Sequence, residues 1–320
     1  MTILGDTDRG RQVVVREVVH EADGVVSLHL GDPSGLDLPT WCPGAHVDLV
    51  LGPDLVRQYS LCGDPGDLRH YRLGVLREPT SRGGSARVHE AVRAGHALTI
   101  AGPRNNFELA PAKGYVFIAG GIGITPLLPM VATAHVDGAD WRLLYGGRRR
   151  ASMAFLDELA RYGDRVEVVP QDECGLLDLD NRLAGLDPEV AVYCCGPEPL
   201  IAAVEAVCAR EGVDGLHVER FSTTRLDPAL ADSAIEVQCA RSGVTVEVSP
   251  GQTILDALRG AGVEVESVCE EGVCGTCETR VLEGRPDHRD SVLSPSERAE
   301  GTTMMICRSR ALGPRLVLDR

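Results

Sequence analysis

At 320 residues, with 43% hydrophobic and 25% charged side chains, the chain has the length of two or three ordinary domains and the balance of a globular protein. Its net charge of −15 leaves no basic footprint for a phosphate backbone, which excludes nucleic acid as an expected partner, and no stretch is long and apolar enough to span a membrane. The first residues, Met1-Thr-Ile-Leu-Gly-Asp-Thr-Asp8, carry neither a basic n-region nor an apolar h-region, so no secretory signal is expected and the expected location is cytoplasmic. Eleven cysteines in such a chain argue for reduced thiols and a metal site rather than a disulfide framework.

From Arg11 to about Pro111 short β-segments follow one another: Val13–Val15, Val25–Leu30, His46–Leu51, Tyr71–Leu76 and Ala97–Ile100. Glycine and proline separate them, which predicts a small antiparallel barrel. Into it fall Arg57-Gln-Tyr-Ser60, then Leu61-Cys-Gly-Asp-Pro65, and later Arg82-Gly-Gly-Ser-Ala86. An arginine pairs with phosphate, a tyrosine lies along a flat heterocycle, and a Gly-Gly-Ser turn opening a helix from Ser85 to about Arg93 offers N–H groups to an anion. Taken alone, Arg-x-Tyr-Ser also reads as a plain strand end. Pro103-Arg-Asn-Asn-Phe107 closes the barrel.

At Tyr115-Val-Phe-Ile-Ala-Gly-Gly-Ile-Gly-Ile-Thr-Pro126 an apolar strand runs into a glycine turn and a helix reaching about Ala134. That geometry brings backbone N–H groups to a dinucleotide pyrophosphate, although the turn lacks the G-x-G-x-x-G spacing. Arg142-Leu-Leu-Tyr-Gly-Gly-Arg-Arg-Arg150 predicts a second strand, followed by a helix through Met153, Phe155, Leu156 and Leu159. Arg148 to Arg150 either hold a 2′-phosphate or form a solvated basic turn, so NADPH stays open beside NADH. Strands at Arg165–Val169 and Val190–Cys195 follow, the second leading through Cys195-Gly-Pro197 into a helix from Leu200 to about Arg210, and Glu219-Arg-Phe221 ends this segment. On strand alternation Cys194 points away from Cys195 and reads as packing. Cys42, Cys62, Cys174, Cys208 and Cys239 are scattered and read as small buried hydrophobes.

Ser222–Ser233 has no periodicity and reads as a tether. Ile235–Val248 alternates across an Arg-Ser-Gly turn as a hairpin, and Thr253 caps a short helix through Ile254, Leu255, Ala257 and Leu258. Cys269, Cys274 and Cys277 then stand at C-x4-C-x2-C spacing, with Cys307 thirty positions on. This is the plant-type [2Fe–2S] ligand pattern rather than the paired C-x2-C knuckles of structural zinc. Gly272 and Gly275 allow the loop to aim N–H groups inward. Glu264, Glu266, Glu270, Glu271 and Glu278 crowd the loop, as a docking face for a basic partner or as a solvated surface. Asp287-His-Arg-Asp290, followed by Leu293 and Glu297, reads as a charged turn and helix on the surface.

The order of these motifs resembles the ferredoxin–NADP reductase superfamily. The form Arg57-Gln-Tyr-Ser-Leu-Cys-Gly-Asp-Pro65 with Arg82-Gly-Gly-Ser85 is similar to its phthalate dioxygenase reductase and vanillate O-demethylase reductase branch, and residues from about 234 onward resemble a plant-type ferredoxin. The resemblance implies a flavin barrel over 1–112 holding FMN, an α/β nucleotide domain with a parallel sheet over 113–223, a linker over 224–233 and an α+β β-grasp ferredoxin over 234–320. It places Arg57, Tyr59, Ser60, Gly83, Gly84 and Ser85 around the flavin, with Gly74, Val75 and Leu76 against its ring. Gly120, Gly121, Gly123, Thr125, Pro126, Arg148, Gly196 and Pro197 would serve the nucleotide. Hydride transfer would occur near Cys195, Thr125 and Phe221, without a side-chain acid or base, and NADH is the favoured donor.

The resemblance further implies that NAD(P)H reduces the flavin, which then feeds single electrons to the cluster. The acceptor is expected to be a separate terminal oxygenase, of Rieske non-haem iron type or a cytochrome P450. The chain itself shows neither a Rieske Cys-x-His pair nor a facial metal triad, and is expected to be a monomer. A redox-sensing binding module is the alternative from another class.

Overall fold

The structure is a computed structural model that describes residues 10–52, 55–79, 83–221 and 233–320. Arg82 and the expected tether, Ser233 apart, lie outside the described residues. The chain divides into two compact units after Glu219.

The first unit opens with six antiparallel strands: β1 Arg11–Ala22, β2 Val25–Gly31, β3 Ala45–Gly52, β4 Leu55–Ser60, β5 Tyr71–Leu76 and β6 Ala97–Asn105, in the order β4-β3-β6-β1-β2-β5. The edge strands meet again through a bridge between Leu61 and Leu73, curling the sheet into a barrel. Val13, Leu28, Val47, Leu49, Leu73 and Ile100 fill its interior, each such side chain contributing roughly 1.5–3 kcal/mol of burial. β4 was not among the expected segments. The helix Gly84–Ala91 lies against the barrel, with a ring nitrogen of His89 3.0 Å from the Val75 carbonyl oxygen.

Five parallel strands follow: β7 Gly114–Gly120, β8 Asp140–Gly147, β9 Val166–Pro170, β10 Val190–Cys195 and β11 Leu216–Glu219, in the order β11-β10-β7-β8-β9. Every residue of β7 is buried, as a central parallel strand covered on both faces must be. The helix Ile124–Val136 packs one face and Glu198–Glu211 the other. One core joins this sheet to the barrel, because Ala22, Val25 and Cys62 cluster with Phe117, Leu143 and Phe155. The helix expected through Met153 begins only at Leu156. Met153 is drawn against Gly147, the Tyr145 hydroxyl donates to the Ala154 carbonyl, and Phe155 adopts a left-handed φ of 63°.

The second unit pairs β12 Ile235–Cys239 and β13 Thr245–Val248 as a hairpin and adds β14 Glu278–Glu283, β16 Thr303–Met305 and β18 Arg315–Leu318 to the same sheet, while β15 Pro286–Asp287 pairs with β17 Arg310–Ala311. β18 runs parallel to β12, the mixed pairing of a β-grasp. Thr253 accepts from the Asp256 N–H and caps the helix Ile254–Gly260. The Asp287–Asp290 turn is not a surface feature. Asp290 is enclosed, accepting from the N–H groups of Val292 and Leu293 and from the Ser309 hydroxyl. The helix comes later, at Pro295–Glu300, behind a Ser294/Glu297 capping box. Cys62, Cys194, Cys208 and Cys239 are buried as expected, but Cys42 lies exposed in a loop and Cys174 exposed at the end of the short helix Gln171–Cys174.

Candidate functional site

Cys269, Cys274, Cys277 and Cys307 are all buried, the most exposed at 8%. Cys269 lies against Cys274 and Cys307, and Cys277 against Cys307, so the thiols form two pairs joined through one contact. Hydrogen bonding within the set lowers the Cys269 and Cys277 thiols below their ordinary value and raises Cys274 and Cys307 above it, so the four share their protons as one unit that metal binding would displace. Among the described residues no three or more His, Cys, Asp or Glu side chains close around a single ion. Two linked pairs suit two irons sharing sulfides better than one tetrahedral zinc.

Backbone geometry serves the same end. Glu270, Gly272 and Gly275 take φ of 55°, 70° and 79°, and the Glu271 N–H reaches the Cys269 sulfur at 3.3 Å. A side chain at Gly272 would stand 3.1 Å from the Cα of Asp290. Asp290 and its neighbours thus brace the loop from outside, with Ser291 donating to the Gly272 carbonyl at 2.8 Å. Of the acidic residues, Glu264, Glu266, Glu270 and Glu278 are exposed and Glu271 half-buried, with Glu270 tied to Arg259 at 2.7 Å.

In the first unit, Gly83 at φ 87° turns the chain into the helix Gly84–Ala91, and a Cβ on Gly84 would strike the Arg57 side chain at 2.4 Å. Arg57 therefore lies along the helix start, where N–H groups and guanidinium together fit a phosphate. Two residues on, burial pushes the Tyr59 hydroxyl up to about 12, and Ser60 is enclosed. Gly74 and Val75 are buried on β5, with Leu76 half-buried.

The glycines ending β7 and β10 make the second corner. A Cβ on Gly123 would stand 2.2 Å from the Cys195 carbonyl oxygen, one on Gly120 2.6 Å from Pro197, and one on Gly196 2.9 Å from the Gly120 Cα. Gly121, at φ 54°, faces open space. Thr125 and Pro126 are buried in the first helical turn, and the Thr125 hydroxyl donates to the Ile122 carbonyl at 2.9 Å. Tight glycine turns at the ends of two neighbouring parallel strands, one leading into a helix, fit a pyrophosphate. Cys194 and Cys195 face opposite core layers, as alternation requires.

A residue that sequence reasoning missed joins the two corners. Glu219 stands beside Cys195 in register, and its carboxyl is enclosed although the residue is half-buried, with one oxygen lacking a hydrogen-bond partner. Burial pushes it up to about 8, while Ser60 favours its anion. Burial, and then the Glu219 charge, hold the Cys195 thiol well above its ordinary value. The only sequence signal was an acidic residue ending the strand Leu-His-Val-Glu. Beyond β8 the three arginines differ. Arg150 donates to both oxygens of Glu173, Arg149 lies 3.8 Å from Asp23, and Arg148 is exposed with no ion pair among the described residues. Phe221 is 41% exposed.

A family described as "2Fe-2S iron-sulfur cluster binding domain" matches residues 237–312, and one described as "Oxidoreductase NAD-binding domain" matches 117–206. Phenoxybenzoate dioxygenase subunit beta of Ectopseudomonas oleovorans is 45% identical over 95% of this chain and 96% of its own length. The solved phthalate dioxygenase reductase, described as a modular structure for electron transfer from pyridine nucleotides to [2Fe–2S], is 33% identical with a TM-score of 0.75, and each chain is covered in full. The chain belongs to the phthalate dioxygenase reductase branch of the ferredoxin–NADP reductase superfamily. As such a reductase it is an NAD(P)H-dependent oxidoreductase with FMN and a [2Fe–2S] cluster. An intact type IV self-sufficient cytochrome P450 monooxygenase is 46% identical with a TM-score of 0.88 over 97% of this reductase, which spans 41% of that longer chain.

Proposed function

We propose that this reductase delivers electrons from NADH to a separate terminal oxygenase of Rieske non-haem iron type, as a cytoplasmic monomer. The buried thiols Cys269, Cys274, Cys277 and Cys307 must stay reduced to take up iron, which supports a reducing compartment, and carrying the flavin, nucleotide and cluster sites on one chain leaves no need for a second copy. The dioxygenase relative supports the oxygenase assignment, and the P450 likeness supports a P450 as the second reading. The three sheets, within residues 11–105, 114–219 and 235–318, support a flavin barrel over 1–112, a nucleotide domain over 113–223, a linker over 224–233 and a ferredoxin over 234–320. The bound groups supply hydride acceptance at FMN and one-electron relay at the cluster.

The chain's own part is positioning. Arg57, Gly83, Gly84 and Ser85 would bind the flavin phosphate, Tyr59, Ser60 and the Gly74-Val75-Leu76 strand its ring. Gly120, Gly121, Gly123, Thr125, Pro126, Gly196 and Pro197 would hold the nucleotide, with Cys195 at the nicotinamide and Phe221 as a cover for the flavin. The observation that carries this reading is the contact of Cys195 with Glu219 and of Glu219 with Ser60, which brings the nucleotide turn to the flavin strand. NADH is favoured because Glu173 and Asp23 already occupy Arg150 and Arg149. In an anaerobic visible spectrum, NADH is expected to bleach flavin and cluster bands well ahead of NADPH. Arg148→Ala should leave NADH almost unaffected and weaken residual NADPH use by roughly tenfold, the worth of one charge-assisted contact. Fully loaded protein that neither nucleotide bleaches would refute the reading.

Glu219 makes the reaction pH-dependent. Below about 8 its enclosed carboxyl is neutral in the folded chain, so it would set no anion against a reduced flavin held at Tyr59 and Ser60. Flavin bleaching by NADH should therefore slow as pH rises through about 8, and Glu219→Gln should remove that inflection. The stability consequence has the same sign. An unfolded chain ionises this group above its ordinary 4.5, so its contribution is full below 4.5, falls as pH rises and is gone above about 8. Melting curves from acid to alkaline pH should show the decline in the parent and not in the Gln variant.

A further inference from the structure

We propose that Arg72, Phe155 and Glu158 form a positioning clamp that sets the spacing between the flavin strand and the nicotinamide turn. The inference rests on the reading of Gly74 as a flavin neighbour and of Thr125 as a nicotinamide neighbour. Its starting point is a conflict: Phe155 is buried, and yet it holds a left-handed φ of 63° that glycine would adopt without strain. A loop needing only the turn would use glycine, so the ring itself is what the position retains.

The ring has a specific destination. A Cβ built on Gly74 would lie 3.3 Å from the ring's Cζ and 2.6 Å from the Thr125 methyl, so strand β5, the nicotinamide turn and Phe155 meet at one point. Arg72, two residues back and so on the same face of β5, sets its guanidinium 5.0 Å from the ring centroid. That guanidinium donates to both oxygens of Glu158 at 2.8 and 3.2 Å, and to the Cys62 carbonyl. Glu158 lies in the helical turn that Phe155 opens, whose Leu159 N–H returns to the Phe155 carbonyl at 3.0 Å.

The circuit is closed. Ring, guanidinium, carboxylate and helical turn each fix the next, and the ring bears on the contact between Gly74 and Thr125. The same loop is tied to the barrel a second time, where the Asp23 N–H donates to the Ala151 carbonyl at 2.8 Å. The loop therefore keeps its place when the clamp is cut, and what moves is the point of contact at Gly74.

The test uses full-length, flavin- and iron-loaded protein carrying Phe155→Leu, Arg72→Met or Glu158→Gln. Each is mixed anaerobically with NADH or with NADH deuterated at the transferred position, and the flavin band is followed. A clamp predicts that bleaching slows by roughly tenfold or more in Phe155→Leu and Arg72→Met, since small misplacements weigh heavily on transfer. It also predicts an altered isotope effect, while the NADH dissociation constant, flavin content and melting temperature stay close to the parent's. Glu158→Gln, on a partly exposed carboxylate, keeps the fold and should show the same change at smaller amplitude. Bleaching within about twofold of the parent in all three, or slowing matched by flavin loss, overturns the clamp. A parent that NADH fails to bleach overturns instead the functional reading beneath it.

Discussion

Exchanging Cys307 for alanine is expected to abolish the iron–sulfur bands and electron delivery to a protein acceptor, while NADH-driven reduction of ferricyanide persists. Cys307 is 1% exposed and touches both Cys269 and Cys277, so it links the two thiol pairs. Without it one iron keeps a single cysteine ligand, and a two-iron cluster needs two on each. The loop also loses what it encloses. Glu270, Gly272 and Gly275 hold positive φ around the thiols, and that strain then stands uncompensated, so the second unit should melt at lower temperature. Ferricyanide accepts electrons at the flavin level, and the first unit has its own cores, so that activity should stay near the parent's. Cys239→Ala is the control. Cys239 is equally buried in the same unit but lies outside the thiol set, so its loss should cost stability and spare the spectrum. Intact bands in Cys307→Ala would remove Cys307 from the ligand set.

How far the sequence alone discloses this architecture depends on whether the deciding contacts are local. The cysteine spacing is local, because a loop's own length fixes which thiols can meet, and Thr253 and Ser294 cap their helices through residues three positions away. β7 is legible because a strand covered on both faces is apolar throughout. β4 is not: Arg57, Gln58 and Tyr59 are all half-buried, which breaks the alternation that marks a strand. Phe155 misled for a related reason. Apolar residues at 153, 155, 156 and 159 carry a helical period, but Gly147 and Gly74, both distant in sequence, draw Met153 and Phe155 away from a helix. Glu219 and Asp290 owe their burial to strands and loops brought together from afar, and periodicity carries no trace of such contacts.

Gly123→Ala is expected to destroy nucleotide binding and destabilise the first unit, whereas Gly121→Ala, only two positions away, should leave the fold standing. At Gly123 the new methyl would sit 2.2 Å from the Cys195 carbonyl oxygen and 2.4 Å from its carbon. Both are backbone atoms of a buried strand paired on either side, so no rotamer change relieves the contact. The cost should exceed the roughly 1–3 kcal/mol of ordinary overpacking. Gly121 is the reverse case: its φ of 54° penalises alanine, but nothing lies within 4 Å of the added carbon. The left-handed conformation costs about 1–2 kcal/mol, which a folded unit tolerates. That open space lies over the turn assigned to the pyrophosphate, so the methyl should raise the Kd for NADH by roughly tenfold, the effect of losing one good backbone contact. Melting curves and NADH titrations of the two variants separate these effects. Equal loss of stability in both would mean that the turn is held by its φ angles, and equal retention of NADH affinity would mean that the nucleotide phosphates bind elsewhere.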